Sequence, residues 1–324
     1  MAFNRKAKLR DNIEAIRTVF TLEKERRAAN PDEREILSRY CGFGGLKCIL
    51  NPAADLMDSV QWAKSDRELF PMTAELHRLI REHSADEKEY KRYFDSLKSS
   101  VLTAFYTPPE IVSALADTLH ANGITPARLL DPSAGQGVFI SAFGQYAPQA
   151  EVMAFDKDLI TGKLLSHLYP QHKVRGEGFE RIEKPFTNYF DVATSNIPFG
   201  DVAVFDPEFT GAGDYPRRAA SKTIHNYFFL KGLDAVRDGG IVAFITSQGV
   251  MNAREGAIRM EMLKRADLVS AIRLPNNLFV DSANTEVGSD LIILQKNENK
   301  QGISETDKLF AVSYTHLRAH ETLS

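Results

Sequence analysis

From Val101 onward the chain reads as an α/β fold of seven strands, the last two paired antiparallel, behind a mostly helical amino-terminal region. Three observations predict it. Short apolar runs alternate with helical patterns after Val101, the signature of a layered α/β sheet. A glycine-rich turn, Asp131-Pro-Ser-Ala-Gly-Gln-Gly137, follows the first of those runs. The stretch from Pro275 to Gly288 is too short and polar for a crossover helix, so the strands flanking it must pair antiparallel.

The elements follow in order. Residues 1–100 form a mostly helical region, with Leu9, Ile13, Ile16 and Phe20, and then Met72, Leu76, Leu79 and Ile80, at helical spacing. Between them Gly42-Phe-Gly-Gly-Leu46 is a tight loop. It lacks the preceding strand and the following Lys-Ser/Thr of a nucleotide loop, so a turn between helices is expected. Trp62 is expected in the core or at a domain contact. Thr107-Pro-Pro-Glu-Ile-Val112 starts a helix, because proline suits the first turn and Glu110 the positive end. Strands are expected at Arg128–Leu130, Val152–Phe155, Lys173–Arg175, Val192–Ser195, Ile241–Thr246, Leu268–Leu274 and Asp290–Gln295, with helices between the first six. The division is therefore 1–100 helical, 101–298 the sheet domain, and 299–324 a tail.

Composition narrows the class. At 324 residues, 43% of them hydrophobic, the chain can bury a full core. The net charge of −3 means that a nucleic-acid partner requires a local basic face. Arg5, Lys6, Lys8 and Arg10 make a basic start, read as a solvated helix face before a binding arm. Cys41 and Cys48, the only cysteines, fit no zinc spacing and no disulfide framework. No apolar run approaches membrane-spanning length and the start is not a signal peptide, which points to a cytoplasmic protein without a metal centre. Val312-Ser-Tyr-Thr-His-Leu-Arg-Ala-His-Glu-Thr322 looks like translated sequencing adapter, so the natural chain is expected to continue differently beyond about Phe310.

The glycine turn lies between a strand and a helix beginning near Val138, at the carboxyl edge where open α/β sheets bind ligands. Gly135 and Gly137 permit close backbone approach, and the helix amino terminus favours an anion. A dinucleotide dehydrogenase would need glycine or alanine at position 140, which is Ile. Asp156, ending the second strand about twenty residues on, suits a pair of ribose hydroxyls, with a helix cap as the alternative; Asp158 is expected to be exposed.

Asp191-Val-Ala-Thr-Ser-Asn-Ile-Pro-Phe-Gly200 follows a buried strand. Asn196-Ile-Pro-Phe199 resembles the Asn-Pro-Pro-aromatic catalytic loop of methyltransferases acting on planar nitrogens, and Asp131–Gly137 resembles their S-adenosylmethionine turn. The order Phe105-Tyr-Thr-Pro-Pro109, glycine turn, Asn-x-Pro-Phe loop resembles gamma-type N6-adenine DNA methyltransferases. Tyr40-Cys-Gly-Phe-Gly-Gly-Leu46, Thr223-Ile-His-Asn-Tyr-Phe-Phe229, Gly239–Ser247 and Ile272–Phe279 extend the likeness to the large DNA methylases of bacterial mobile elements, often fused to helicase-like domains.

The resemblance implies a class I, Rossmann-like methyltransferase sheet, S-adenosylmethionine as cofactor and DNA as partner. It implies that Thr107 and Pro108 close over the methionine, that Asp131 accepts from its ammonium, and that Asp156 holds the ribose. Phe179 would cover the adenine ring. Where such enzymes carry an acidic residue before that aromatic, position 178 is Gly, leaving Glu177 or Glu180 for the adenine amino group. It also implies that the Asn196 side-chain oxygen and the carbonyl of Ile197 take the two amino hydrogens of the target base, with Pro198 shaping the loop and Phe199 stacking on the base. Ile197 in place of proline leaves the polarity intact and loosens the loop. The segment Asp201–Lys222, with Arg217 and Arg218, covers the flipped base and its phosphates, or is an ordinary surface loop. Asn276 and Asn277 shape the base pocket or a hairpin turn, and His225 is a packed structural histidine. The alternatives are methylation of a glutamine amide or an RNA base, and a non-catalytic, cofactor-binding DNA module.

Overall fold

The computed structural model describes residues 4–103, 106–253, 256–280 and 286–311. Ala104, Phe105 and the adapter-like 312–322 lie outside the described residues.

Helices α1 (Arg5–Glu25), α2 (Pro31–Ser38), α3 (Phe70–Glu82) and α4 (Glu87–Thr103) make up the amino-terminal region. Their apolar stripes bury Leu9, Ile13, Ile16, Leu76, Leu79 and Ile80 in one cluster, as the helical spacing requires. Trp62 is in that core, its Nε1 donating to the Pro52 carbonyl at 3.0 Å and its ring edge-on to Phe70. Half of the basic start is ion-paired, Arg5 with Asp66 and Lys6 with Glu68, while Lys8 is buried and Arg10 is exposed as a solvated face requires.

Strands β1 (Arg128–Asp131), β2 (Glu151–Phe155), β3 (Lys173–Arg175), β4 (Phe190–Asn196), β5 (Val236–Ser247), β6 (Ala266–Leu274) and β7 (Ser289–Lys296) form one sheet in the order β3-β2-β1-β4-β5-β7-β6. The β1, β2, β3, β4 and β5 neighbours pair parallel, and β7 runs antiparallel to both β5 and β6. All seven expected strands are present. The period of two is visible in the packing: Val242 and Phe244 of β5 and Ile292 and Leu294 of β7 face one layer. Ile241, Ala243 and Ile245, with Leu291 and Ile293, face the other.

Helices α5 (Pro109–Ala121), α6 (Val138–Gly144) and α7 (Leu159–Leu168) precede β1, β2 and β3. Helix α5 starts where Pro109 and Glu110 place it. Helices α8 (Pro207–Thr210), α9 (Tyr215–Ala220) and α10 (Ile224–Ala235) join β4 to β5, and α11 (Gly249–Asn252) and α12 (Ala257–Arg265) join β5 to β6. One crossover departs from expectation. Between β3 and β4 the chain makes only two short 3-10 turns, Phe179–Arg181 and Lys184–Phe186, where a helix was expected. Gly176, Gly178 and Pro185 crowd a connection too brief for a packed α-helix.

The helical region is not a loose appendage. Ile160 and Leu164 of α7 belong to its core, so α7 is packed between the sheet and the amino-terminal helices.

Candidate active site

The sheet order reverses between β1 and β4, the switch point where open α/β sheets bind ligands. Asp131 ends β1 and Asn196 ends the neighbouring β4, so the topology sets the glycine turn beside the Asn-Ile-Pro-Phe loop. A cavity of about 290 Å³ opens there, near the lower end of the size of small-molecule sites. Thr107, Gly135, Asp156, Asn196, Ile197, Pro198 and Phe199 line it together, with Tyr106, Ser133 and Thr161.

The glycine turn is held from three sides. Gly135 N donates to Asp156 Oδ2 at 2.8 Å, and Asp158 N donates to Asp156 Oδ1 at 2.8 Å. Asp156 therefore splints the turn to the end of β2, in addition to facing the cavity. Ser195 Oγ donates to Asp131 Oδ1 at 2.7 Å, tying β4 to β1 one residue before Asn196. The third tie was not foreseen. The side chain of Gln136 donates to the carbonyl of Tyr40, so the glycine loop at 40–46 seats directly on the cofactor-type turn. That loop is clamped from behind: Asn12 donates to Gly42 O at 2.6 Å and accepts from Cys41 N at 2.9 Å, while Phe43 N donates to Ser100 Oγ at 3.0 Å. Ser100 lines the cavity. The glycines of residues 42–46 thus serve a turn that latches the helical region to the site, not a nucleotide loop.

The two glycines of the turn differ in purpose. Gly135 has φ +53° and a Cβ there would meet the Tyr106 ring at 2.8 Å, so the cavity wall itself demands glycine. Gly137 has φ +77° and its missing Cβ makes room for the Tyr169 ring, which would stand at 2.4 Å. It does not line the cavity. Its glycine is explained by packing against α7 rather than by approach of a ligand.

Three further expectations are corrected by placement. Asp131 is fully buried behind the wall rather than on it. Phe179 is absent from the cavity, being buried against Phe155, Tyr227 and Phe228 beneath the sheet edge. Asp158 is not a free surface carboxylate: it accepts from Ser96 Oγ at 2.6 Å and from Thr161 N at 2.7 Å, capping α7, and lines the cavity. Pro108 caps α5 just outside the lining. Of the two candidate acids after β3, Glu177 is paired with Arg175, and Glu180 with Lys157, which does line the cavity.

The catalytic-type loop shows why isoleucine stands at 197. Its N–H donates to Ile245 O at 2.9 Å, extending the β4–β5 ladder by one bond that proline could not make. Its side chain is 1% exposed in the core. The rigidity lost with proline is replaced by a ladder bond and an apolar anchor. Phe199 meets Phe279 edge-on, with ring centroids 5.8 Å apart. Phe279, fully buried, ends the Ile272–Phe279 block and is a site residue that only tertiary contact reveals. Asn276 and Asn277 are exposed in the turn after β6. His225 is 6% exposed on α10, packed by Gly249, and burial holds its imidazole below the usual range.

Burial pushes the Asp131 carboxyl up to about 7, and burial, then the neighbouring Asp158, pushes Asp156 up to about 7. The sign is that of a native state binding protons more tightly than the unfolded chain. Both groups therefore favour folding below pH 4 and cost stability progressively as pH rises from about 4 to 7. Asn at 131 keeps the acceptor but cannot ionise. Asp131→Asn is expected to gain on the wild type by up to ~3 kcal/mol between pH 5 and 8, read from urea unfolding midpoints at each pH. A constant difference across that range would remove the ionisation from the account.

The described residues contain no group of His, Cys, Asp or Glu able to hold a metal ion, and no helix among them is long and apolar enough to cross a membrane. A class I S-adenosylmethionine-dependent methyltransferase fold is the class that this sheet defines. A Listeria monocytogenes protein assigned to that class superposes with a TM-score of 0.52 at 14% identity, over 93% of this chain and 91% of its own. The methyltransferase subunit of a type I restriction-modification system from Streptococcus thermophilus gives 0.50 at 15% identity, over 97% and 86%. The N-6 DNA methylase family model matches residues 165–321, a span that includes the Asn196–Phe199 loop.

Two curated proteins are similar over part of their length. Defense against restriction protein B of Escherichia phage P1 is 27% identical over 60% of this chain, and the type II methyltransferase M.XamI of Xanthomonas campestris pv. amaranthicola is 29% identical over 49%. The aligned parts are 8% and 32% of those proteins, so this chain spans a fraction of their length.

Proposed function

We propose that this chain methylates the N6 amino group of adenine in DNA, using S-adenosylmethionine. The observation that carries this reading is a single cavity lined both by Thr107, Gly135 and Asp156 and by Asn196–Phe199. The residues fit the cofactor. Thr107 Oγ1, on the cavity wall, is a buried polar atom with no partner among the described residues, as expected where a hydrogen-bonding ligand completes the site. Thr107 would hold the methionine end and Asp156 the ribose. Bound there, S-adenosylmethionine supplies an electrophilic methyl group.

The rest is the work of this chain's own side chains. An exocyclic amino group is a poor nucleophile because its lone pair is delocalised into the ring. Asn196 Oδ1 and the carbonyl of Ile197 accept its two hydrogens and draw the nitrogen toward tetrahedral geometry, aligning the lone pair for in-line attack. Phe199, braced by Phe279, stacks on the base and faces the positive charge that develops. The adenine must first leave the duplex stack, at a cost of roughly a few kcal/mol. We place this enzyme in the cytoplasm, with residues 101–298 as its catalytic part; helicase-like domains belong to the proposal only for a longer chain.

The test is tritiated methyl transfer from S-adenosylmethionine to unmethylated bacterial DNA, followed by nucleoside analysis. N6-methyladenine is the expected product. Label in RNA or in protein amide, with none in DNA, would replace the substrate; no label anywhere, with cofactor bound, would make the chain a binding module.

A further inference from the structure

Immediately after the Asn-Ile-Pro-Phe loop the chain exposes large apolar side chains that its own fold does not use. Val202 is 56% exposed at the cavity rim, Phe205 is 79% exposed, and Tyr215 is 61% exposed. Phe205 is not on a loose loop. Val204 before it is buried, its N–H donating to Ser221 O at 2.8 Å. Asp206 after it is 2% exposed and accepts from Tyr227 Oη at 2.7 Å, Lys231 Nζ at 3.0 Å and Glu208 N at 2.8 Å. A ring pinned between two buried neighbours is aimed outward by the backbone, and three residues from Val202 it lies within ~10 Å of the rim along the chain.

The charges beside it select the partner. Arg217 is consumed by Asp234, at 2.8 and 2.9 Å, which corrects the expectation that it meets phosphates. Arg218 donates only to the carbonyls of Ala212 and Gly213, and Lys222 is exposed next to the Ser221 carbonyl that holds Val204. Among the described residues neither cation has a carboxylate within ion-pair distance, although Asp206, Glu208 and Asp214 of the same segment are all paired. Asp201 is the remaining exposed acid. Stiffly held aromatic surface on the same segment as two cations without a carboxylate partner suits stacked bases on a polyanionic backbone.

Resting on the DNA reading above, we propose that residues 201–222 form the face that engages duplex DNA, with Phe205 stacked against the bases beside the extruded adenine. Arg218 and Lys222 sit on phosphates. Removing a base from the duplex leaves a gap whose stacking an inserted ring restores.

Phe205→Trp tests this without relying on turnover, because the only other tryptophan, Trp62, is 3% exposed. A short random-sequence duplex should quench the new emission and shield it from acrylamide, more than the matching single strand does. Phe205→Ala should lower duplex methylation by roughly tenfold or more, with cofactor affinity little changed. Lys222→Ala should flatten the salt dependence of duplex binding by about one unit of slope. If the wild type methylates DNA but tryptophan at 205 senses neither form, the proposal is overturned and the methylation reading stands. If duplex quenches and shields the probe without any methylation, the surface stands and the catalytic reading fails. If DNA is neither bound nor methylated, both are lost.

Discussion

Asn196→Ala is expected to reduce methyl transfer at least roughly a hundredfold, the scale of removing one positioned polar group from a reacting centre. Cofactor affinity should stay nearly unchanged. The asymmetry follows from where Asn196 sits: it ends β4, separated by β1 from the strand that Asp156 follows, and its backbone remains in the β4–β5 ladder. Truncation deletes an acceptor for the amino group while leaving the glycine turn, Thr107 and Asp156 in place. Single-turnover transfer and calorimetric cofactor binding, measured on the same preparation, separate the two. Equal loss of both would mean that Asn196 supports the cavity as a whole, and its assigned role would fall.

Asp156→Ala should do the reverse, weakening cofactor binding by roughly ten- to a hundredfold, the worth of hydrogen bonds to a charged group. Two contributions add. The ribose loses its acceptor, and Gly135 N and Asp158 N lose theirs, so the turn loosens. Asp156→Asn keeps one acceptor oxygen for the turn and serves as the control. The pH dependence gives a second readout. In the ligand-free protein this carboxyl titrates near 7, because burial and Asp158 disfavour its charge. If the ionised form holds the hydroxyls, affinity rises as pH climbs toward 7 and levels off above it. Asp156→Asn should flatten that rise. An unchanged dissociation constant in Asp156→Ala would remove the residue from the site.

The local features of this site were legible in the chain itself because each rests on a short stretch of backbone. Glycine at 135, the strand runs on either side of the turn, proline at the start of α5 and the asparagine after β4 all encode geometry within a few residues. The antiparallel final pair was equally readable, since Pro275–Gly288 has no length for a crossover.

What sequence misplaced shares one cause. Phe179, Asp131 and Gly137 stand at the right positions along the chain, but whether they face a ligand depends on elements far away. Phe179 is claimed by Tyr227 and Phe228 of α10, Asp131 by Ser195, and the space at Gly137 by Tyr169. The contacts missed altogether are of the same kind. Tyr40 reaches Gln136 across ninety-six positions, and Phe279 reaches Phe199 across eighty. By itself, then, the sequence determined the succession of strands along the chain and the two loops at the sheet's edge. Only tertiary structure decided which side chains face the cavity. Close packing gives each volume to one occupant, and contacts between distant segments choose it.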